Sequence, residues 1–181
     1  MRIISGNRRG HKLTGFDGRD VRPTTDRVKE SLFNIISPFI PGAYVLDLFA
    51  GSGALSMEAL SRGAAYACCV DKDKRSIDII NRNVKDLKYD GLCTVAHSSY
   101  EDFLSANTAQ FDIIFLDPPY NKGFIEPVLK NILKTGALGD GGIVALESDE
   151  TDFRGEAEGF SIYRQKKYGR TYITIYTNAE G

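Results

Sequence analysis

Short, almost wholly apolar runs alternate with amphipathic stretches across the middle of this chain. That alternation constrains the fold more than any other feature of the sequence. Residues 44–48, 65–70, 93–97, 111–116 and 142–147 read as strands, and 53–62, 73–88 and 122–134 as helices. In the second helix Ile77, Ile80, Val84 and Leu87 recur at helical spacing. Strands that are apolar on both sides need cover on both faces. The pattern therefore predicts an α/β fold whose sheet is mostly parallel, with helices on each side. Two further runs, 161–167 and 171–177, flank Gly169 and predict an antiparallel hairpin at one edge. Ahead of the sheet, 2–5 and 12–16 flank a Gly/Asn/Arg turn and predict a small β-hairpin. Thr24 or Thr25 can cap a helix running to about Ser37, with Val28, Leu32, Ile35 and Ile36 on its apolar side and Pro38 ending it.

The 181 residues suit one domain, 1–181, divided near residue 40 into an N-terminal arm with its helix (1–40) and a sheet core (41–181). No apolar run approaches the ~18 residues of a membrane span, and the N-terminus lacks the apolar stretch of a signal peptide. Cys68, Cys69 and Cys93 are an odd number with no CxxC spacing. They predict neither disulfides nor a metal site, but core positions in a reduced, cytoplasmic protein. Charges nearly cancel, 23 Lys and Arg against 24 Asp and Glu, yet they are unevenly spread. The first sixteen residues contain no acid, and Arg164, Lys166, Lys167 and Arg170 sit in an acid-free stretch, whereas 147–158 is strongly acidic. Such runs are commonly solvated faces, but these permit two basic patches to meet in space.

Residues 45–55, Val-Leu-Asp-Leu-Phe-Ala-Gly-Ser-Gly-Ala-Leu, form a strand, a glycine-rich turn and a helix start. Glycines there let a ligand approach the backbone at the carboxyl end of a strand. Asp71 follows the second strand, twenty positions after Gly51, and suits ribose hydroxyls. Ser56 replaces the third glycine of a dinucleotide fingerprint, and Asp47 would repel a diphosphate but suits an ammonium. The Lys-Ser/Thr pair of a phosphate-binding P-loop is missing. The combination resembles the S-adenosylmethionine site of Rossmann-like methyltransferases.

The apolar run 111–116 leads into Asp117-Pro118-Pro119-Tyr120. Two prolines remove two backbone donors and stiffen the chain, projecting the Pro118 carbonyl outward. An exocyclic amine on a conjugated ring is a weak nucleophile. Hydrogen bonds from its two protons, to the Asp117 carboxylate and the Pro118 carbonyl, would favour a tetrahedral nitrogen with an available lone pair. Tyr120 offers a face on which an extruded base can stack. The tetrapeptide resembles motif IV of amino-methyltransferases acting on adenine N6, cytosine N4 or guanine N2. Asp117, Pro118, Pro119 and Tyr120 are thus the candidate catalytic residues.

The ends of the chain narrow this further. Residues 1–13 (MRIISGNRRGHKL) and 22–35 (RPTTDRVKESLFNI), with 117–120 and Lys167-Tyr168-Gly169-Arg170-Thr171, resemble the ribosomal small-subunit methyltransferase D family over essentially the whole chain. The resemblance implies a Rossmann-like methyltransferase with S-adenosylmethionine as cofactor. It would methylate the exocyclic N2 of one guanine in small-subunit (16S) ribosomal RNA, acting as a monomer, with a ribosomal particle as substrate. It implies cofactor contacts from Asp47, Phe49, Ala50, Gly51, Ser52 and Gly53, from Asp71 and Lys72, and from Ser99 and Tyr100. One departure concerns the last pair. Where members often carry a Gly-Asp-Ala-like run, this chain reads His97-Ser98-Ser99-Tyr100-Glu101-Asp102, leaving Ser99 as the acceptor. Arg8, Arg9, Lys12, Lys166, Lys167 and Arg170 are expected to hold RNA phosphates, orienting the substrate without reading its sequence. Arg22 and Arg27 join them or, with Thr24, close over the methionine end of the cofactor. The competing readings are an adenine-N6 methyltransferase, a non-catalytic RNA-binding protein and a nicotinamide oxidoreductase.

Overall fold

In the computed structural model, which describes residues 1–16, 26–119, 123–149 and 156–179, the apolar runs become strands of a single sheet. They are β1 (Tyr44–Asp47), β2 (Tyr66–Asp71), β3 (Cys93–His97), β4 (Phe111–Leu116), β5 (Leu138–Asp149), β6 (Phe160–Tyr168) and β7 (Thr171–Asn178). Their order is β3-β2-β1-β4-β5-β7-β6. The first five are parallel, and β7 inserts antiparallel between β5 and β6. Five helices connect or precede them: α1 (Asp26–Ile35), α2 (Ala54–Ser61), α3 (Lys74–Leu87), α4 (Tyr100–Ala106) and α5 (Ile125–Thr135).

Alternation along each strand divides the apolar residues between two cores. Val45, Ile113, Phe115 and Ile143 face α1, α2 and α3, where Phe33, Leu55 and Ile80 pack against them. Leu46, Ile114, Leu116 and Val144 face α4 and α5, meeting Leu104, Val128 and Ile132. This two-sided burial is why the strands carry no polar alternation. All three cysteines are free and buried in strands.

Three expectations need correction. The N-terminal hairpin is present but shorter than 2–5 paired with 12–16: Arg2 bridges Lys12, the Ile3 and Leu13 amides donate to the His11 and Met1 carbonyls, and beyond Ile3 the amides of Ile4 and Ser5 donate to the Glu58 carboxylate instead. Helix α4 lies between β3 and β4, where the sequence reading assigns no helix. Ser99 caps it, its Oγ accepting from the Asp102 amide at 3.1 Å. Strand β5 extends beyond 142–147 at both ends, since β7 pairs with it as far as Asp149 and Leu138 pairs with Phe111. Thr24 and Thr25, the expected caps of α1, lie outside the described residues. Among the described residues no helix is long and apolar enough to cross a membrane.

Candidate active site

The strand order reverses at β1, with β2 on one side and β4 on the other, so their carboxyl ends border a crevice of the kind where open α/β sheets bind ligands. Asp47 stands opposite Phe115, and the Leu48 amide donates to the Phe115 carbonyl at 3.3 Å. The glycine-rich turn after β1 and Asp117-Pro118-Pro119 after β4 therefore begin side by side.

Gly51 and Gly53 adopt left-handed backbone conformations, φ 56° and 75°, that favour glycine. A Cβ on Gly51 would meet nothing nearer than the Phe49 carbonyl oxygen at 4.0 Å, so the space over it is open to a ligand. A Cβ on Gly53 would press on Ile80 at 3.3 Å, so that glycine serves the packing of α2 on α3. Asp71 holds the turn in place. One carboxylate oxygen accepts from the Gly51 amide and the other from the Asp73 amide, both at 2.8 Å. A carboxylate has about four acceptor positions, so Asp71 retains capacity for hydroxyl donors.

Asp47 is buried, and its Oδ2 accepts from the Ser56 hydroxyl at 3.1 Å. Its Oδ1 has no hydrogen-bond partner among the described residues. Burial lifts the Asp47 carboxyl to about 7; the Ser56 hydroxyl opposes that lift and the nearby Asp71 charge adds to it. A buried acceptor without a partner beside an open glycine turn is a group that an ammonium would complete. Ser56 thus has a positive role here, visible only once α2 lies against β1.

Phe49 stacks at 5.5 Å from Tyr100 and 5.9 Å from Phe124, and Lys72 lies 5.5 Å over the Phe124 ring. This trio closes the crevice on the α4–α5 side and brings Phe49, Lys72 and Tyr100 together as expected. Phe124 is an addition; its signal is an aromatic residue shortly after the Pro-Pro motif. Ala50 donates its amide to the Val70 carbonyl, and Ser52 accepts at its carbonyl from Asn83 Nδ2 at 2.9 Å. Ser99 is occupied with Asp102, donating to its carboxylate at 2.8 Å as well as accepting from its amide. Asp117 is half-buried, Pro118 buried and Pro119 exposed at the rim. Tyr120 and Arg22 lie outside the described residues.

The basic residues do not form one surface. Arg8 donates from Nε to the Leu87 carbonyl at 3.0 Å and sits over the Tyr89 ring, while its amide donates to Ser61 Oγ. Its guanidinium therefore satisfies the carboxyl end of α3, while the Asn7 amide donates to the Ser61 carbonyl at the end of α2; both helix ends point away from the carboxyl ends of the strands. Arg9 shares that turn, and Lys12 is exposed beside Arg2. The C-terminal group behaves differently. Because Asp149 opposes Thr171 and Thr171 opposes Tyr168, the β6–β7 turn lies at the carboxyl end of β5, the edge that holds the crevice. Tyr168 hydrogen-bonds there with Ser31, one turn along α1 from Arg27. Arg27, Lys166, Lys167 and Arg170 thus gather around one contact. Lys167 lies over the Tyr172 ring, and Arg170 pairs with Asp149 at 3.1 Å.

Beneath the site is a buried ionic knot that the sequence does not announce. Glu58 is fully buried on α2 and accepts from the amides of Ile4 and Ser5, from Arg62 at 2.8 Å and from Lys29, whose Nζ is 3.5 Å away. Lys29 also donates to the Arg2 carbonyl at 2.6 Å. Burial draws the Lys29 amine down and the Glu58 carboxylate holds it up. Asn83 completes the attachment, exchanging hydrogen bonds with the Thr14 backbone while holding the Ser52 carbonyl. The clues are a glutamate inside an otherwise small and apolar helix and a lysine among Leu32, Phe33 and Ile36 on the apolar side of α1.

Comparison with known proteins agrees with this arrangement. The family model described as Conserved hypothetical protein 95 matches residues 1–177. The chain is 38% identical over 177 residues to the ribosomal RNA small subunit methyltransferase D of Escherichia coli K12, covering 97% of this chain and 89% of that protein. It is 34% identical over 181 residues to the protein of the same name from Haemophilus influenzae, covering 98% and 94%. Among solved structures, Escherichia coli yhhF matches with a TM-score of 0.87 at 38% identity, covering 98% of this chain and 97% of the other. The chain belongs to the ribosomal RNA small subunit methyltransferase D family.

Proposed function

We propose that this protein transfers a methyl group from S-adenosylmethionine to the exocyclic N2 amine of a guanine in small-subunit ribosomal RNA. The carrying observation is the juxtaposition of the glycine turn after β1 with Asp117-Pro118-Pro119 after β4, in a chain of this family. S-adenosylmethionine, when bound, supplies a methyl made electrophilic by its sulfonium. Asp47 would take the ammonium, Asp71 the ribose hydroxyls, and the Phe49, Tyr100 and Phe124 rings would flank the adenine and exclude water.

The protein's task at the target is positioning. The Asp117 carboxylate and Pro118 carbonyl accept hydrogen bonds from the two amine N–H groups, which turns the nitrogen lone pair toward the methyl. That lone pair forms the new N–C bond as the S–C bond breaks, its electrons staying on sulfur. The methylated nitrogen then sheds one proton and needs no strong base to do so. Tyr120 is assigned the stacking face on the sequence alone. Arg27, Lys166, Lys167 and Arg170 would hold phosphates beside the crevice, and Lys12 is a more distant contact. The contacts of Arg8 make it a support of the fold first, and the exposed Arg9 beside it is a more distant phosphate contact.

Labelled S-adenosylmethionine, incubated with naked ribosomal RNA or with small subunits from cells lacking the enzyme, tests this proposal. Label recovered as N2-methylguanosine from the small-subunit RNA is the expected result. Label in N6-methyladenosine would establish the competing adenine reading, and no transfer to either substrate would overturn the proposal.

A further inference from the structure

Beyond Lys166, already given a place beside the crevice, the α1-facing side of edge strand β6 carries the exposed Tyr163 and Arg164, which have no role there. Directly opposed residues of an antiparallel pair share a face. Arg164 opposite Ile175 and Lys166 opposite Ile173 therefore lie on the side where those isoleucines join the α1–α3 core. Tyr163, the extra residue at the bulge between Ile162 and Arg164, leans the same way, its ring edge-on to Phe39 at 5.6 Å. It remains 55% exposed. Tyr168, bonded to Ser31, ends the row at the crevice. Strand β6 contains no carboxylate.

We propose that this row is a track for a single-stranded stretch of substrate RNA adjoining the reactive base, a proposal that rests on the function given above. Arg164 and Lys166 stand about 6.6 Å apart along the strand, a spacing that two successive phosphates of an extended strand can match. Tyr163 and Phe39 together offer an apolar surface for an unstacked base, which RNA exposes in loops and bulges. A strand leaving the crevice crosses Tyr168 first and reaches Tyr163 about 15 Å further on. Charges and a bulge also guard edge strands against pairing with other chains. That role would leave RNA affinity unmoved.

The test uses the full chain with the double variant Arg164→Ala, Lys166→Ala and the single variants Tyr163→Ala and Tyr163→Phe. The double variant is expected to raise KM for the ribosomal RNA substrate about tenfold. It should also flatten the log KM against log salt slope by about 1.4, two phosphates at roughly 0.7 each. Tyr163→Ala raises KM severalfold and Tyr163→Phe restores it, while kcat, S-adenosylmethionine affinity and melting temperature stay at wild-type values. Unchanged KM and salt slope in an active enzyme overturn the track and leave the function standing. Binding of a labelled oligouridylate separates the two proposals. If the wild type methylates no ribosomal RNA but the variants still bind this probe more weakly, the functional proposal falls and the track survives.

Discussion

The glycine-turn side of the crevice and the β6–β7 side are built on opposite principles. Around β1 and β2, Asp71 ties down two amides, Asp47 and Ser56 pair in the interior, and Glu58 gathers Lys29, Arg62 and the N-terminal arm. Around β6 the groups are exposed, and the charges that do have partners, such as Arg170 with Asp149, meet them near water. The first side is prepared for a small ligand of fixed shape, since buried acceptors keep their geometry before it arrives. The second keeps its cations at the surface, within reach of a partner that brings its own fold. Charge is divided accordingly: Asp47 and Glu58 are buried on the first side, whereas Arg164, Lys166 and Arg170 are exposed on the second.

The sharpest way to break the comparison is at the crevice. Asp117→Ala should lower single-turnover methyl transfer by about a thousandfold, on the scale of losing one preorganised polar contact. S-adenosylmethionine affinity, read by calorimetry, should stay at the wild-type value. Transfer at the wild-type rate would remove Asp117 from the mechanism.

Next in size is the ionic knot. Glu58→Ala leaves the buried Lys29 charge without its counter-charge and two part-buried amides without their acceptor, and should cost about 3–5 kcal/mol in urea denaturation. Adding Lys29→Met should return much of that loss. A double variant no more stable than the single one would mean that the amides of the arm, rather than the lysine, dominate.

Asp47 gives a pH test. Its carboxyl rises from 3.8 to about 7 on folding, so the native state holds this proton more tightly than the unfolded chain does. The resulting stability is complete below 3.8 and is lost as pH rises through about 7. Asp47→Asn should flatten the stability profile of the ligand-free protein across that window. If the ammonium sits on Asp47, wild-type affinity for S-adenosylmethionine should increase as pH climbs through 7, and Asp47→Asn should abolish that dependence. The smallest effect belongs to the exposed edge: Arg170→Ala should change stability by less than about 1 kcal/mol.

Much of the site could be read in one dimension because its parts are local. Glycines at 51 and 53, an acid ending each of β1 and β2, and Asp-Pro-Pro after β4 each declare their chemistry within a few residues. Phe124 escaped notice because it acts across a loop, and Ser99 was read as a ligand group although its nearest use is to start a helix. Arg8 likewise has a second use that the sequence does not display. A basic cluster in sequence suggests a phosphate contact, but which way a guanidinium points depends on the helix ends that reach it.

The sequence by itself determined the two-sided parallel sheet, the glycine turn, the Asp-Pro-Pro turn after β4 and the terminal hairpin, since strand period and turn chemistry are written in short windows. Only the tertiary structure decided which polar groups share an interior. The Ile4–Glu58 bond spans 54 positions and the Ser31–Tyr168 bond 137. Such pairings follow from which faces pack together, and no local periodicity encodes them.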